Sequence, residues 1–353
     1  MQSIASRIAN ELNVNETQVA ASVALLDEGA TVPFISRYRK EVTGGLDDTQ
    51  MRNLQERLNY LRELEDRRKS ILSSIEEQGK LTPQLILAIN QAETKTRLED
   101  LYLPFKVKRR TKGQIAIEAG LEPLADLLYG DPNEDPELAA GEYIGVAKGI
   151  ADAKAALDGA KYILMERFSE DAELIGNLRH FMSAEAQISS RLIAGKDTEA
   201  GKAQQAAKFK DYFEHSEALK TAPSHRALAM FRARREGFVS IKVDITTEAI
   251  EGHPCETMVA RHVAIKQLGR PADNWLAEVV RWTWRIKLHT HLENDLLADL
   301  RERADLEAIM VFSINLKDLM LAAPAGQKAT LALDPGLRSG CKVAVVDSTG
   351  KVL

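Results

Sequence analysis

Five basic side chains lie within seven residues in the first third of the chain, and phosphate binding is the chemistry that they would support. They are Lys106, Lys108, Arg109, Arg110 and Lys112. Cations packed this closely repel one another unless water or an anion neutralises them, and arginine can bind a phosphate through two parallel hydrogen bonds. The segment therefore predicts contact with a nucleic-acid backbone. The alternative is a solvated loop that pairs with nearby carboxylates such as Glu99 and Asp100.

A second group of cations surrounds an aromatic side chain near the amino terminus. These predicted nucleic-acid contacts are Arg37, Arg39 and Lys40. Tyr38 between them could stack on a base while the cations contact the backbone. For the rings we favour the alternative, in which Phe34, Ile35 and Tyr38 pack inward and the cations coat the surface. A third cluster is interpreted in the same way and consists of Arg232, Arg234 and Arg235.

One carboxylate, Asp334, is the single candidate for catalysis. Asp334-Pro335-Gly336 follows a predicted strand, as in the opening segment of RNase H-like resolvases, which it resembles. In those enzymes several carboxylates gather two metal ions for phosphodiester hydrolysis. One carboxylate cannot do this alone, so we expect no reaction on this chain. The alternative role for Asp334 is to cap the turn that follows it.

Other combinations of reactive residue types do not form a consistent site. His289, His291 and Glu293 suggest a metal cluster, but residues two apart on a helix do not share a face. The pair Ser224-His225 has no acidic partner that the sequence identifies. No phosphate-binding glycine loop or dinucleotide fingerprint is present. We therefore predict no metal and no cofactor.

Bulk composition restricts where a polyanion could bind. The chain has 353 residues with 47 Lys and Arg against 52 Asp and Glu, which gives a formal net charge of -5. Binding must therefore depend on local patches, because attraction fades within about 10 Å in salt. Two isolated cysteines, no secretory leader and no apolar run of about 20 residues favour a soluble, cytoplasmic protein without a membrane partner.

Helical periodicity dominates the elements that must position these residues. One long helix beginning near Asp47 has an apolar seam that Glu65 and Arg68 are expected to weaken. Residues 150–191 are predicted to be helical nearly throughout, and 195–207 a surface helix or connector. Two further helices are predicted at 273–300 and 306–321. Residues 238–245 alternate between apolar and polar side chains, which predicts a strand.

The final residues change to a strand pattern that stops before a sheet is complete, which we interpret as truncation of the chain. The predicted fold is mainly α, a multi-helix bundle with a helix-turn-helix-like part, a short β element near 238–245 and the first strands of an α/β RNase H-like domain. The predicted segments are 1–72 for the helix-turn-helix-like part with the start of the long helix, 73–237 for the central helical region, 238–324 for the strand with long helices, and 325–353 for the start of the last domain.

Several stretches together resemble the Tex family of bacterial transcription accessory proteins. The matching stretches run over residues 32–44, 94–113, 159–167 and 222–229. The resemblance implies a helical amino-terminal region with a helix-turn-helix-like part, followed by a YqgF-type RNase H-like domain. It further implies a helix-hairpin-helix pair and an OB-type RNA-binding domain, to which the family's RNA binding is chiefly ascribed and which has no counterpart in these residues.

Three hypotheses follow from the residues and from the resemblance. The first is a non-enzymatic transcription accessory scaffold that binds nucleic acid, with RNA favoured over DNA. The second is a metal-dependent RNase H-like nuclease or resolvase, which requires carboxylates in addition to Asp334. The third is a protein-interaction module that contacts RNA polymerase.

Overall fold

The computed structural model describes residues 3–107, 109–145, 149–196, 203–246, 252–323, 326–336 and 340–353. The helices are α1 Ile4–Leu12, α2 Glu16–Asp27, α3 Val32–Tyr38, α4 Asp48–Glu77, α5 Pro83–Gln91, α6 Lys95–Tyr102, α7 Lys112–Glu118, α8 Glu122–Gly130, α9 Pro136–Gly141, α10 Ala153–Ser169, α11 Ala172–Glu185, α12 Ala203–Ala206, α13 Ser224–Arg235, α14 Pro254–His262, α15 Asp273–Trp282 and α16 His289–Met320. The strands are β1 Gln187–Leu192, β2 Glu214–Ala218, β3 Val239–Asp244, β4 Thr330–Pro335 and β5 Cys341–Val346. The predicted mainly α fold is confirmed.

The longest helix of the first hundred residues, α4, begins where its capping residues predict. The amide of Gln50 donates to the Asp47 carboxylate at 2.8 Å, and the amide of Asp47 donates to the Gln50 side chain at 3.1 Å. These bonds satisfy amides that the first turn of a helix leaves without a partner. The apolar stripe of α4 is buried and includes Met51, Leu54, Leu58, Leu61, Leu64, Ile71 and Ile75.

Arg68 lies within the seam of α4, and its guanidinium has partners that the sequence did not indicate. Its side chain is only 5% exposed and donates to the carbonyl oxygen atoms of Ile89 at 3.1 Å and Ala92 at 2.8 Å. These carbonyls lie at the carboxyl end of α5, where the Ala92 amide also donates to Ile89 at 3.3 Å but no described amide donates to Ala92. Arg68 therefore joins α4 to α5, and the expected weakening of the seam stays a prediction.

The sheet content exceeds the sequence prediction. The strand predicted at 238–245 is confirmed as β3, in which Val239, Ile241 and Val243 are buried and the intervening side chains are exposed. The prediction of helix up to residue 191 was wrong at its end, because β1 begins at Gln187. Strand β2 had no sequence signal, and the three strands form a sheet in the order β2-β1-β3. Residues 197–202 of the predicted connector lie outside the described residues.

The helices near the carboxyl terminus break at a different place from the one predicted. A π-helical segment at Thr283–Leu288 separates α15 from α16, whereas α16 runs without interruption through residues 301–305. The buried hydroxyl of Thr283 donates to the carbonyl oxygen of Val279 at 2.8 Å, one turn earlier. Beyond Leu306, α16 exposes most of its apolar side chains to solvent.

The chain forms two compact units, and each is discontinuous in sequence. The first comprises residues 1–187 and 243–296, and the second comprises residues 188–242 and 297–353. The segment boundaries proposed from the sequence at 72, 237 and 324 stay predictions. In the second unit, β4 and β5 pair antiparallel, with Thr330 opposite Val346 and Asp334 opposite Lys342. Within the described part of the chain, no helix combines the length and apolar character that a bilayer crossing requires.

Candidate nucleic-acid interface

The basic segment, defined as residues 106–112, leads directly into α7, and its last residues are fixed by α10. Thr111 accepts a hydrogen bond from the amide of Gln114 at 3.0 Å and so caps α7. The same hydroxyl donates to the Glu166 carboxylate on α10 at 2.9 Å. Gly113 is buried at this contact, where a Cβ atom would lie 2.5 Å from the Glu166 carboxylate and 3.1 Å from the carbonyl oxygen of Tyr162. Only glycine allows the segment to approach α10 this closely.

An open groove of about 410 Å³ lies beside the basic segment. Its cationic lining consists of Lys80, Lys106, Arg109, Arg110 and Arg167, and its acidic lining of Glu122, Glu166 and Glu170. The side-chain amide of Gln78 donates to the carbonyl oxygen of Phe105 at 2.9 Å, which anchors the start of the segment to the end of α4. The arrangement is a solvent-open channel with an excess of positive charge. We call it the basic groove.

The five predicted cations divide into different groups in the structure. Lys106 and Arg109 are exposed and form no ion pair with any described residue. Arg110 binds the Glu118 carboxylate, with its Nε at 3.0 Å, yet remains 65% exposed. The Lys112 ammonium lies 3.2 Å from the Tyr162 hydroxyl and 4.8 Å from the centre of that ring. Lys108 lies outside the described residues.

The carboxylates named as partners in the alternative interpretation are occupied by other arginines. Glu99 accepts from Arg67 at 2.5 Å, and Asp100 is buried and accepts from Arg179 at 2.6 Å. The described cations of the basic segment therefore do not pair with Glu99 or Asp100, contrary to the alternative interpretation. Glu118 and Glu166, which are local in space, take part instead. Glu118 pairs with Arg110, whereas Glu166 accepts from Thr111 and lies 3.6 Å from Lys287. Among the described cations of the segment, Lys106 and Arg109 form no ion pair.

The second basic patch has a different geometry from the one we favoured. Ile35 is buried as expected, whereas Phe34 is 46% exposed and Tyr38 is 67% exposed. The inward packing of these two rings was wrong, because the buried face of the short helix α3 is taken by Val32, Ile35 and Ser36. The flanking cations at 37 and 40 are exposed, and Arg39 lies 3.5 Å from Glu41.

The third cluster lies on α13 and is partly neutralised within its own helix. Arg232 donates to Glu236 at 2.8 Å, and Arg234 and Arg235 are exposed. Because the basic segment borders an open groove, we place the stronger candidate interface on the first unit.

Asp334 stands apart from any cluster of metal ligands. Its side chain is 78% exposed, and its carboxylate lies 4.0 Å from the Lys342 ammonium on β5. Arg338, named with it in the sequence, lies outside the described residues. Among the described residues, no group of three His, Cys, Asp or Glu side chains converges as a metal site would require. The two-metal chemistry considered for Asp334 stays a hypothesis.

His289 and Glu293 of α16 contact the end of β3. His289 lies 3.0 Å from the carbonyl oxygen of Val243, and Glu293 accepts from the Val243 amide at 2.9 Å. Asp244 beside them lies 3.1 Å from His253. Burial raises the pKa of Asp244, but the hydrogen bond from His253 and the nearby His289 outweigh it and lower that pKa. His289 and Glu293 therefore hold the backbone at the end of β3 in place.

Ser224 has an acidic partner that no sequence signal indicated. Its hydroxyl donates to Glu307 on α16, and His225 points to solvent instead of joining them. A hydroxyl bound to a carboxylate without an imidazole between them lacks the base of a nucleophilic triad. The contact joins α13 to α16. Sequence reasoning also missed Lys80 and Arg167 in the basic groove, because they are remote from residues 106–112 along the chain.

Comparisons with known protein families cover most of the chain. The Tex-like protein N-terminal domain matches residues 2–76, the family described as Tex central region-like matches residues 131–312, and the Tex protein YqgF-like domain matches residues 328–353. The basic segment lies between the first two matches, and Asp334 lies within the third.

Individual relatives align along almost the whole chain. Protein YhgF of Escherichia coli is 58% identical over 349 residues, which are 98% of this chain and 44% of that protein. Transcriptional accessory protein Tex of Neisseria gonorrhoeae is 52% identical over the same shares of the two chains. The human S1 RNA-binding domain-containing protein 1 is 26% identical over 98% of this chain and 35% of that protein. The chain thus spans less than half the length of these relatives.

Proposed function

Because this chain belongs to the Tex family, we propose that it is a nucleic-acid-binding scaffold that takes part in transcription, with RNA as its ligand. The name of the gonococcal relative supports the link to transcription, and the name of the human relative supports RNA as the ligand class. This role assigns the protein to the cytoplasm, where bacterial transcription takes place. The basic groove is the part of the first unit that we assign to the backbone.

The observation that carries the proposal is the exposure of Lys106 and Arg109 at an open groove without a described carboxylate partner. When an unpaired cation of the protein binds a phosphate, it displaces counterions that are condensed on the nucleic acid. The release of these ions favours binding. Arg110 and Lys112 can add hydrogen bonds but are already partly satisfied by Glu118 and Tyr162. We therefore expect the first pair to contribute more to binding than the second.

The test measures the affinity of the chain for single-stranded RNA as a function of salt concentration. Each phosphate contact adds about 0.7 to the slope of log affinity against log salt on a single strand. The double variant Lys106→Gln/Arg109→Gln should therefore lower the slope by about 1.4. The double variant Arg110→Gln/Lys112→Gln should lower it by less.

A matched control removes the same charge elsewhere. Lys69 and Lys154 are exposed on α4 and α10 and do not line the basic groove. The variant Lys69→Gln/Lys154→Gln should leave the slope close to that of the unaltered chain. Equal slopes for this control and for Lys106→Gln/Arg109→Gln would show that the groove does not contact phosphate.

A binding role without catalysis is part of the proposal. The exposure of Asp334 and its pairing with Lys342 support a structural role at the β4–β5 turn. Incubation of the chain with single-stranded RNA and Mg²⁺ should yield no cleavage. Cleavage that disappears in Asp334→Asn would contradict this part of the proposal and favour the nuclease hypothesis.

RNA polymerase is a second proposed partner class, supported by the transcriptional name of the gonococcal relative. The expected result is that immobilised chain retains polymerase from a nuclease-treated extract. Retention that depends on intact nucleic acid would instead mean that the nucleic acid bridges the two proteins.

A further inference from the structure

The short helix α3 presents two aromatic rings to solvent on one face. Phe34 and Tyr38 are four residues apart, a spacing that places side chains side by side on a helix. Their ring centres are 5.5 Å apart and their planes are inclined by 45°. Isolated exposed apolar residues are common on protein surfaces, but paired aromatic rings form a continuous apolar surface of the kind that marks binding sites.

The backbone that carries the rings is fixed from both sides. The hydroxyl of Ser36 donates to the carbonyl oxygen of Val32 at 2.5 Å and to Asp48 on α4 at 3.3 Å. After the helix, the side-chain amide of Gln18 donates to the carbonyl oxygen atoms of Thr43 at 3.2 Å and Gly44 at 2.8 Å. A ligand would therefore meet a surface whose backbone is already ordered, which lowers the entropy lost on binding.

Positive charge surrounds the rings. Arg37 and Lys40 are exposed and form no ion pair with any described residue. Among the described residues, Arg39 forms an ion pair only with the exposed Glu41. Cations beside flat apolar rings complement a single strand of nucleic acid, which offers phosphates along one edge and base faces along the other. A duplex keeps its base faces stacked inside, so such a surface discriminates in favour of single strands.

We propose that Phe34 and Tyr38 form a base-stacking platform for single-stranded nucleic acid, with Arg37, Arg39 and Lys40 on the backbone. We call these five residues the aromatic patch. The platform accepts any base, because every base has a π face. The proposal rests on nucleic acid being the ligand, as in the proposed function, but not on the basic groove.

The two surfaces lie at opposite ends of α4. Ser36 contacts Asp48 at the first residue of that helix, and Gln78, just past its last residue, contacts Phe105 beside the basic groove. A helix of 30 residues is about 45 Å long at about 1.5 Å per residue. A stacked strand of five nucleotides spans only about 17 Å. A pentanucleotide can therefore report on the aromatic patch separately from the basic groove.

The experiment uses a single-stranded RNA pentanucleotide that contains 2-aminopurine, a base analogue whose fluorescence is quenched on stacking. The 353-residue chain should quench it saturably, and the same sequence within a duplex should be bound much more weakly. Tyr38→Ala should weaken binding of the pentanucleotide by about 5- to 150-fold, the usual range for one stacked base. Tyr38→Phe should retain the affinity, because it keeps the ring.

Two controls separate this proposal from the others. Leu138→Ala removes an apolar side chain that is at least as exposed, on α9, and should leave quenching unchanged. Lys106→Gln/Arg109→Gln should also leave it unchanged, so a failed salt-slope test would not affect this result. Circular dichroism melting should be the same for every variant, because the substituted side chains are exposed. If Tyr38→Ala leaves the quenching of the pentanucleotide unchanged, the platform is refuted. The same result is expected if the rings bind a protein and not a nucleic acid.

Discussion

Arg68 provides the sharpest test of how the amino-terminal bundle is stabilised. The guanidinium lies inside an apolar seam and donates to two carbonyl groups at the end of α5, and it also pairs with Glu65. The substitution Arg68→Met keeps an unbranched apolar stem and a similar helix propensity. It removes the guanidinium with its hydrogen bonds to α5 and its ion pair with Glu65, so the measured change reports on these polar contacts together.

The expected cost follows from the Ala92 carbonyl, which loses its donor, and from the Ile89 carbonyl, which keeps the Ala92 amide at 3.3 Å. An unsatisfied buried acceptor costs about 1–3 kcal/mol and a lost hydrogen bond about 0.5–1.5 kcal/mol, so together they cost about 1.5–4.5 kcal/mol. A neighbouring cavity of about 360 Å³, lined in part by Arg68 and Ala92, can admit water to these carbonyls. The water favours the lower part of the range. We expect the free energy of unfolding to fall by about 1.5–3 kcal/mol.

Urea unfolding followed by tryptophan fluorescence measures this change. Trp275, Trp282 and Trp284 all lie in the unit that contains Arg68. At a slope of about 3 kcal/mol per molar urea, the midpoint should fall by about 0.5–1 M. The control Lys69→Met alters the next residue of α4, which is 70% exposed and lies 3.8 Å from Asp66, and should change stability by less than about 1 kcal/mol. Coincident unfolding curves for Arg68→Met and Lys69→Met would refute the reasoning.

Three further predictions concern acid, packing and thiol chemistry. Burial raises the pKa of Asp273, but hydrogen bonds from the amide and guanidinium of Arg270 outweigh it and lower that pKa to about 2. The ionised Asp273 carboxylate therefore stabilises the fold fully above about pH 4, and this stabilisation is lost as the pH falls through about 2. The urea midpoint of Asp273→Asn should lie below that of the unaltered chain at pH 7, and the two midpoints should converge near pH 2. Gly159→Ala should destabilise the chain by about 1–3 kcal/mol in urea, because the added methyl overlaps a leucine side chain where α10 meets the segment after α7. Burial raises the pKa of Cys255 to about 12, so a thiol reagent should modify the exposed Cys341 in the native chain and Cys255 only after unfolding; modification of both at equal rates would contradict this.

The sequence was a reliable guide to elements whose signal is local. The apolar stripe of α4 follows from a repeat of 3.6 residues, and the alternation of β3 follows from a repeat of 2. The cap at Asp47 follows from the residue types at the start of the helix. All three could be predicted without a structure. Strand β1 was missed because its short run follows a helix without a breaker. Strand β2 has too few apolar residues to show an apolar–polar alternation, since its side chains are exposed or only half-buried.

The candidate site shows where such prediction ends. Residue types alone identified clusters of cations at 106–112 and 37–40, because like charges close in sequence are close in space. Which of those cations stays available depends on Glu118, on Tyr162 of α10 and on the direction in which α3 turns its rings. These partners lie up to 50 residues away along the chain, as Lys112 and Tyr162 do.

The sequence by itself therefore determined the helical class, the positions of most helices and strands, and the location of positive charge. Only the tertiary structure decided that Arg68 serves buried carbonyls, that Glu166 fixes the basic segment and that Tyr38 faces solvent. The physical reason is that periodicity reveals which side of an element is apolar, whereas neutralisation and exposure depend on the neighbours that packing brings from distant parts of the chain.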